Sequence, residues 1–437
     1  MLVNKERVKR TLLTLYGTIS FSRTILAPED KQSGKKLWDE FGKKTVCPVD
    51  EALGISDIPF KITRKAMSAI AREATKARSY SDAADELAVK FGEEISISTV
   101  ERVTNYVGAL MLSIQCEQAS NAKKMSRDRK IDARTIHKRR DDVLYIETDG
   151  AMIHVRDKEH VSMSNEEIRA DKKQDKHEPG WTESKHAICF HAKNVKYYFE
   201  NSDGTRFSGR LEDLLRLQNT DSKTVNHKIE KRDCIGYIGK SDLFQYHLLA
   251  LAERNDWTHC AKVVILSDGA PWIKTARKTV FNRKGVIQIL DLFHAKENAG
   301  KFARDIKRSK QQQKIYADYL CNLIENGEVT KLLEELKPYK DKKMNPGIPN
   351  LYTYIDNNKD SMDYPKYKKE GLFVGSGAME SANIYMMQNR MKLQGMRWNV
   401  ETGRYMLCLK SYHESHTWKI VEDALYKDSS STVEPGL

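Results

Sequence analysis

Two short apolar runs in this 437-residue chain end abruptly in Asp-Gly: Val143–Thr148 before Asp149-Gly150, and Val263–Ser267 before Asp268-Gly269. A third segment, Gly375-Ser376-Gly377-Ala378-Met379-Glu380-Ser381, reads as a glycine-rich turn opening a helix, with Glu380 in its first turn. Carboxylates of this kind are hard oxygen donors suited to Mg²⁺ or Mn²⁺. Two such ions about 4 Å apart activate a nucleophilic oxygen and stabilise the leaving oxygen of an in-line displacement at phosphorus. Each feature also has an ordinary reading. Asp-Gly is a common turn signal, and a glutamate in a first helical turn is favoured by the helix dipole.

Both aspartates are expected at the C-terminal ends of strands, where rigid backbone fixes a side chain that faces solvent. The strands read as Val143–Thr148, Met152–Val155, His186–His191, Val195–Glu200, Val263–Ser267 and Val286–Leu290, with a helix over Asp242–Arg254. Polar stretches at Asn165–Gly180 and Asn201–Gly209 read as exposed loops or hairpin tips. This alternation predicts an α/β fold with a mixed sheet. The gap before Glu380 holds far more chain than one crossover needs, which implies a helical insertion of roughly 70–80 residues. Glu147 lies two residues before Asp149 and shares its sheet face if the strand persists.

Ahead of this region, the segment around Tyr16-Gly17-Thr18 predicts a β-hairpin, and Thr63 to about Gln115 is helical by its spacing. Ser79–Ala88, the turn at Phe91-Gly92 and a second helix with Ser98 as N-cap read either as a helix-turn-helix or as an ordinary packed pair. A basic run from Lys123 to Arg140, including Lys138, Arg139 and Arg140, marks a linker that also suits a DNA backbone. The boundaries are 1–60 for the N-terminal region, 61–140 for the helical region and linker, and 141–294 for the first part of the core. The insertion follows at 295–370, the C-terminal helices at 371–427 and a disordered tail at 428–437.

The net charge of +13 favours polyanionic partners, because Lys and Arg release counterions condensed on phosphates. No apolar stretch approaches the roughly 18 residues of a membrane span, and charges stand where a secretory signal carries its apolar core. A cytoplasmic location is therefore expected. The seven cysteines are scattered singly, without the close pairs of a zinc knuckle or redox dithiol, so structural zinc is not expected.

From Asp142 to His413 the chain resembles the DDE-type transposases of bacterial insertion sequences, in a branch similar to Mutator-like elements. The matching text is Ile146-Glu147-Thr148-Asp149-Gly150, Leu266–Ile273, Leu290–Asn298, Gly375–Asn383 and Arg390–Trp398, five motifs in order. The resemblance implies an RNase H-like core with a helical insertion before the glutamate. It also implies a catalytic and metal-binding triad of Asp149, Asp268 and Glu380 holding two Mg²⁺ or Mn²⁺ ions. Asp291 and His294 match an Asp-x-x-His motif that either positions phosphate or packs behind the acids. Arg390, Lys392 and Arg397 follow Glu380 and either contact DNA phosphates or are plain surface charges; Trp398 either stacks on a base or sits in the core. The choice of Asp149 over Glu147 or Asp142 as first acid rests on the motif.

The reading is thus a transposase that cuts transposon ends and joins the 3′-hydroxyl to target DNA, working as a dimer or larger assembly on terminal repeats. The alternatives are an RNase H-like nuclease without strand transfer and a non-catalytic DNA-binding regulator.

Overall fold

The computed structural model describes residues 2–28, 46–56, 58–128, 140–171, 178–218 and 220–427. Lys138, Arg139 and the 428–437 tail lie outside these residues. The chain divides into two compact units, Met1–Ile114 with Glu401–Leu437, and Gln115–Val400.

In the first unit, β1 (Leu2–Thr14) and β2 (Gly17–Pro28) form the expected hairpin, closed by Leu15-Tyr16 with Gly17 at φ +89°. Its inward arginines, Arg10 and Arg23, both pair with Asp50 of α1 (Pro48–Ala52), which leaves Arg7, Lys9, Thr11, Ser20 and Ser22 exposed. Three helices follow: α2 (Arg64–Lys76), α3 (Tyr80–Phe91) and α4 (Ile97–Asp128). Ser79 caps α3 by accepting from the Asp82 N–H at 2.9 Å, and Gly92 at φ +72° ends it. The cap of α4 is Ser96, whose Oγ accepts from the Thr99 N–H at 3.2 Å, not the expected Ser98. The first free amides of this helix lie nearer Ser96 than the apolar spacing alone indicated.

Val100, Val103, Val107 and Met111 recur at helical spacing along α4. They share a core with Met67, Ile70, Leu87 and Phe91, and with Leu409, Tyr412, Trp418 and Val421 of the last two helices, Val400–Glu414 and Trp418–Lys427. Gly108 is the point of closest approach in this packing. A Cβ there would lie 2.6 Å from Tyr405 Cβ and 3.1 Å from its Cα.

In the second unit, β3 (Arg140–Val155) is the central strand of a five-stranded sheet. The other members are β4 (Gly180–His191), β8 (Asp233–Ile238), β9 (Cys260–Ser267) and β10 (Val286–Leu290), in the order β10-β9-β3-β4-β8. The β3–β9 and β9–β10 pairs are parallel; β3–β4 and β4–β8 are antiparallel. A separate three-stranded sheet holds β5 (Val195–Glu200), β6 (Arg206–Gly209) and β7 (Lys223–Ile229). The protein is therefore mixed α/β.

Several expected boundaries are corrected. Val143–Thr148 and Met152–Val155 are one strand, because Gly150 is extended and paired with Lys185 instead of turning. The stretch at Asn165–Gly180, expected as an exposed loop or hairpin tip, contains α5 (Asn165–Asp171); Asn201–Gly209 is the tip of the β5–β6 hairpin, with β6 taking its last residues. Strand β7 was not foreseen because its residues are polar and almost all exposed, so no alternation marks them.

Helices α6 (Leu211–Leu217), α7 (Ser241–Arg254) and α8 (Pro271–Thr279) accompany these strands. Beyond β10, the described residues up to the Gly375 turn hold no strand. They form α9 (Leu292–Ile306), α10 (Lys310–Glu325), α11 (Val329–Leu336), α12 (Leu351–Asn358) and α13 (Tyr364–Lys369). Then α14 (Gly377–Asn383) runs through a π-helical turn, Ile384–Gln388, into α15 (Asn389–Met391). No helix among the described residues is long and apolar enough to cross a membrane.

Gly108→Ala is expected to destabilise the protein by about 1–3 kcal/mol, the usual cost of overpacking, read as a lower urea midpoint. An unchanged midpoint would mean that α4 and the Tyr405 helix separate without cost.

Candidate active site

The parallel β3–β9 pair ends at Thr148 opposite Ser267, so the next residue on each strand is Asp149 and Asp268. Adjacent strands lie about 4.8 Å apart, which makes the two carboxylates neighbours by register alone. Burial, and then the charge of Asp268, raise the Asp149 carboxyl above its ordinary range. The Gly150 N–H, 2.7 Å from Asp149 Oδ1, and Asn383 oppose this rise. Asp268 Oδ1 accepts from the Ala270 N–H at 3.0 Å, and Tyr354 of α12 donates to its carbonyl at 2.9 Å. Between them Gly269 adopts φ +88°, and a Cβ there would lie 2.7 Å from Leu290 and 2.9 Å from Asn358. Of the two Asp-Gly pairs that follow apolar runs, only this one uses glycine's left-handed freedom.

Two contacts fix the helix that carries Glu380. Glu147, fully buried on the same face as Asp149, accepts from the Met379 N–H at 2.9 Å. Asn383, three residues beyond Glu380 and thus on the same side of α14, donates Nδ2 to Asp149 Oδ2 at 2.5 Å. Glu380 itself is exposed. The carboxylates of Asp149, Asp268 and Glu380 do not all fall within 4.8 Å of one another. Like charges favour such a spread, and a site for two ions needs a wider span than one ion does.

Asp291 is the hub behind the acids. It is fully buried, and its Oδ1 accepts from the N–H groups of Phe293 at 2.7 Å and His294 at 2.9 Å, capping α9. Its Oδ2 accepts from the Ser376 N–H at 2.6 Å and from the Ser376 hydroxyl, and its own N–H donates to the Ser267 carbonyl at 2.8 Å. Burial opposes charge on Asp291, yet His294 and Ser376 bring its carboxyl down to about 2. Shielded this completely, Asp291 holds elements in place and does not touch phosphate.

His294 Nδ1 lies 3.5 Å from Asp291 Oδ2 with a third of its side chain exposed. The Asp291 carboxylate, with Asp149 and Asp268 behind it, raises the imidazole to about 9. At neutral pH it is a cation within electrostatic reach of Asp149 and Asp268.

The remaining candidates separate by burial. Trp398 is buried, donating Nε1–H to the Met391 carbonyl at 3.1 Å and bridging Val155 through its backbone. Arg390 is buried with its guanidinium 5.1 Å from the Trp398 ring centre. Base stacking by Trp398 and phosphate contact by Arg390 are therefore corrected: both pack the sheet edge. Lys392 and Arg397 are exposed, and Arg140 opens β3. Asp142, the alternative first acid, lies at the far end of β3, bonded to His191.

Sequence reasoning gave no role to Asn383 or to Ser376. The signal for Asn383 was present, since a polar residue three positions after Glu380 shares its helical face. Nothing local marked Ser376, whose partner Asp291 is remote in sequence. No protein-family model matches the chain, and no curated protein matches it.

Burial, with the charges of Asp291 and Glu380 adding, pushes Glu147 up to about 8 from 4.5, against the Met379 N–H and Arg232. A raised carboxyl means that the folded protein keeps a proton the unfolded chain has released. The stability associated with Glu147 is thus full below pH 4.5 and is lost as pH rises to about 8. Glu147→Gln keeps an acceptor for Met379 but cannot ionise. Wild type is expected to lose stability against this variant across that window, measured by urea unfolding at stepped pH. Parallel curves would show that Glu147 is ionised in the fold.

Proposed function

We propose that the chain is a DDE-type transposase built on an RNase H-like core. The observation that carries this reading is the placement of Asp149 and Asp268 side by side where the parallel β3–β9 pairing ends, with Asn383 of the Glu380 helix bonded to Asp149. The mixed five-stranded sheet and the helical stretch ahead of Glu380 are what such a core requires.

The donor set suits hard divalent ions. Asp149 and Asp268 supply carboxylate oxygens close enough for one to raise the other's affinity for protons, which is the repulsion a bound cation relieves. Asp149, Asp268 and Glu380 would hold two Mg²⁺ or Mn²⁺ ions, which supply Lewis-acid stabilisation of phosphate oxygens and an activated nucleophilic oxygen.

The chain's own residues do the positioning. Asn383 and the Gly150 N–H each occupy one oxygen of Asp149, fixing the orientation of its carboxylate. Asp291 anchors Ser376, the residue from which α14 starts, and so sets where Glu380 emerges. His294 adds positive charge beside the aspartates, complementary to a phosphodiester. Exposed Lys392 and Arg397, on a chain of net charge +13, offer sequence-independent contacts to the DNA backbone. Positioning and charge stabilisation carry phosphoryl transfer, so little covalent work falls to the protein. Synapsis of two transposon ends requires a dimer or larger assembly.

The test is cleavage and joining of labelled DNA carrying the element's own ends, in Mg²⁺, Mn²⁺ or EDTA. Metal-dependent nicking at the ends followed by strand transfer is expected. Asp149→Asn, Asp268→Asn and Glu380→Gln should each lower it about 10⁴-fold while DNA affinity stays within a few-fold. Nicking without end preference or joining would identify a nuclease instead. Binding without cleavage in every metal would identify a regulator. A variant that cuts normally would remove that residue from the site.

A further inference from the structure

At the other end of β3, about 23 Å from Asp149 at the usual strand rise, three side chains of different chemistry converge. They are Asp142, His191 at the end of β4 and Cys260 at the start of β9. His191 Nδ1 lies 2.7 Å from Asp142 Oδ2 and 4.0 Å from Cys260 Sγ. The three donor atoms all fall within 4.8 Å of one another. Asp142 and Cys260 are buried, His191 reaches the surface, and Cys260 is in no disulfide. Between Arg140 and Val143, β3 advances three residues while β9 advances two, a bulge beside Asp142. Bulges re-aim side chains and recur beside functional sites.

We propose that Asp142, His191 and Cys260 form a Zn²⁺-class metal site, with a fourth coordination position open to solvent on the His191 side. A thiolate, an imidazole and a carboxylate together select Zn²⁺ over Mg²⁺, whose preferred donors are all oxygen. Tetrahedral bond lengths place nitrogen and oxygen donors about 3.4 Å apart, and nitrogen and sulfur about 3.6 Å apart. The present spacings differ from these by about half an ångström or so, within reach of side-chain rotation. A cation already sits against this carboxylate: Lys193 Nζ lies 3.2 Å from Asp142 Oδ2 on an exposed side chain. Burial opposes charge on Asp142, but His191 and Lys193 keep its carboxyl below the usual range. The metal ion replaces the lysine as counter-charge and Lys193 moves into solvent; His191 Nδ1 gives up the proton it shares with Asp142, the neutral ring keeping its proton on Nε2, and the Cys260 thiol loses its own to water as the Zn–S bond forms. The ion then staples three strands at the end of the sheet away from Asp149 and Asp268. This site stands whether or not the chain is a transposase.

The experiment uses the full chain, stripped of metal by a chelator and titrated with Co²⁺ as the probe. One equivalent should produce a near-ultraviolet thiolate-to-Co²⁺ charge-transfer band with tetrahedral visible bands, and Zn²⁺ should displace both. Cys260→Ser should abolish the charge-transfer band. His191→Asn and Asp142→Asn should weaken Co²⁺ binding at least about tenfold, the loss that even changes outside the ligand sphere bring about. The Asp149→Asn/Asp268→Asn double variant should keep the band, separating this site from the carboxylates. Zn²⁺ should also raise the Tm of wild type but not of His191→Asn. No thiolate band with Co²⁺, or a band unchanged in Cys260→Ser, overturns the proposal. Should Cys260→Ser fail to fold by circular dichroism, His191→Asn decides, and unchanged Co²⁺ affinity there overturns it as well.

Discussion

One buried carboxylate organises the end of the sheet that carries the candidate site. Asp291 is joined through its N–H to Ser267, the residue before Asp268. Through Oδ1 it starts α9, which carries His294, and through Oδ2 it holds Ser376, from which the Glu380 helix departs. Two acids and the histidine therefore take their places from a single side chain that never reaches the solvent. Since a buried charge is tolerated only when its lone pairs are filled, this network is stable as a whole and costly in part. That property suits a residue whose task is registration.

Glu147 makes the contrast instructive. It is as buried as Asp291 and sits on the same side of the sheet, but among the described residues only the Met379 N–H donates to it, where Asp291 has Phe293, His294 and both donors of Ser376. Burial pushes both carboxyls toward the neutral form, and the number of donors decides the outcome: about 2 for Asp291 and about 8 for Glu147. The chain thus keeps two structural carboxyls behind Asp149, Asp268 and Glu380, one ionised and one holding a proton near neutral pH. A second full negative charge beside Asp149 and Asp268 would add to the repulsion already visible in Asp149. A protonated Glu147 avoids it.

The parts of this arrangement that follow from short-range rules were legible in the sequence. Apolar runs ending in Asp149 and Asp268, the glycine-rich start of the Glu380 helix and the shared face of Glu147 and Asp149 needed only period and turn chemistry. What was not legible depends on partners far away. Gly150 reads as a turn in isolation and is held extended by pairing across to β4. Trp398 and Arg390 look like a nucleic-acid surface until Val155 and Met391 enclose the tryptophan and the arginine stacks on it. Strand β7 carries no apolar alternation, because nearly all of its residues, on both faces, are exposed. Ser96 and Ser98 are equally good caps by type, and only backbone geometry separates them.

The distribution of donors along β3 follows a chemical logic. Divalent ions of the later first transition row bind most mixed sites more tightly than Mg²⁺ does, so a carboxylate site for Mg²⁺ is protected by containing no soft ligand. The Asp149 end meets this condition: its donors are oxygens, and its nearby imidazole, raised to about 9, is protonated and so unable to coordinate. The thiol and the imidazole of the Cys260 and His191 cluster stand at the other end, on the same strand framework. On the proposed reading, a hard and a soft donor set stand on one sheet, and the length of the strand keeps their ligands apart.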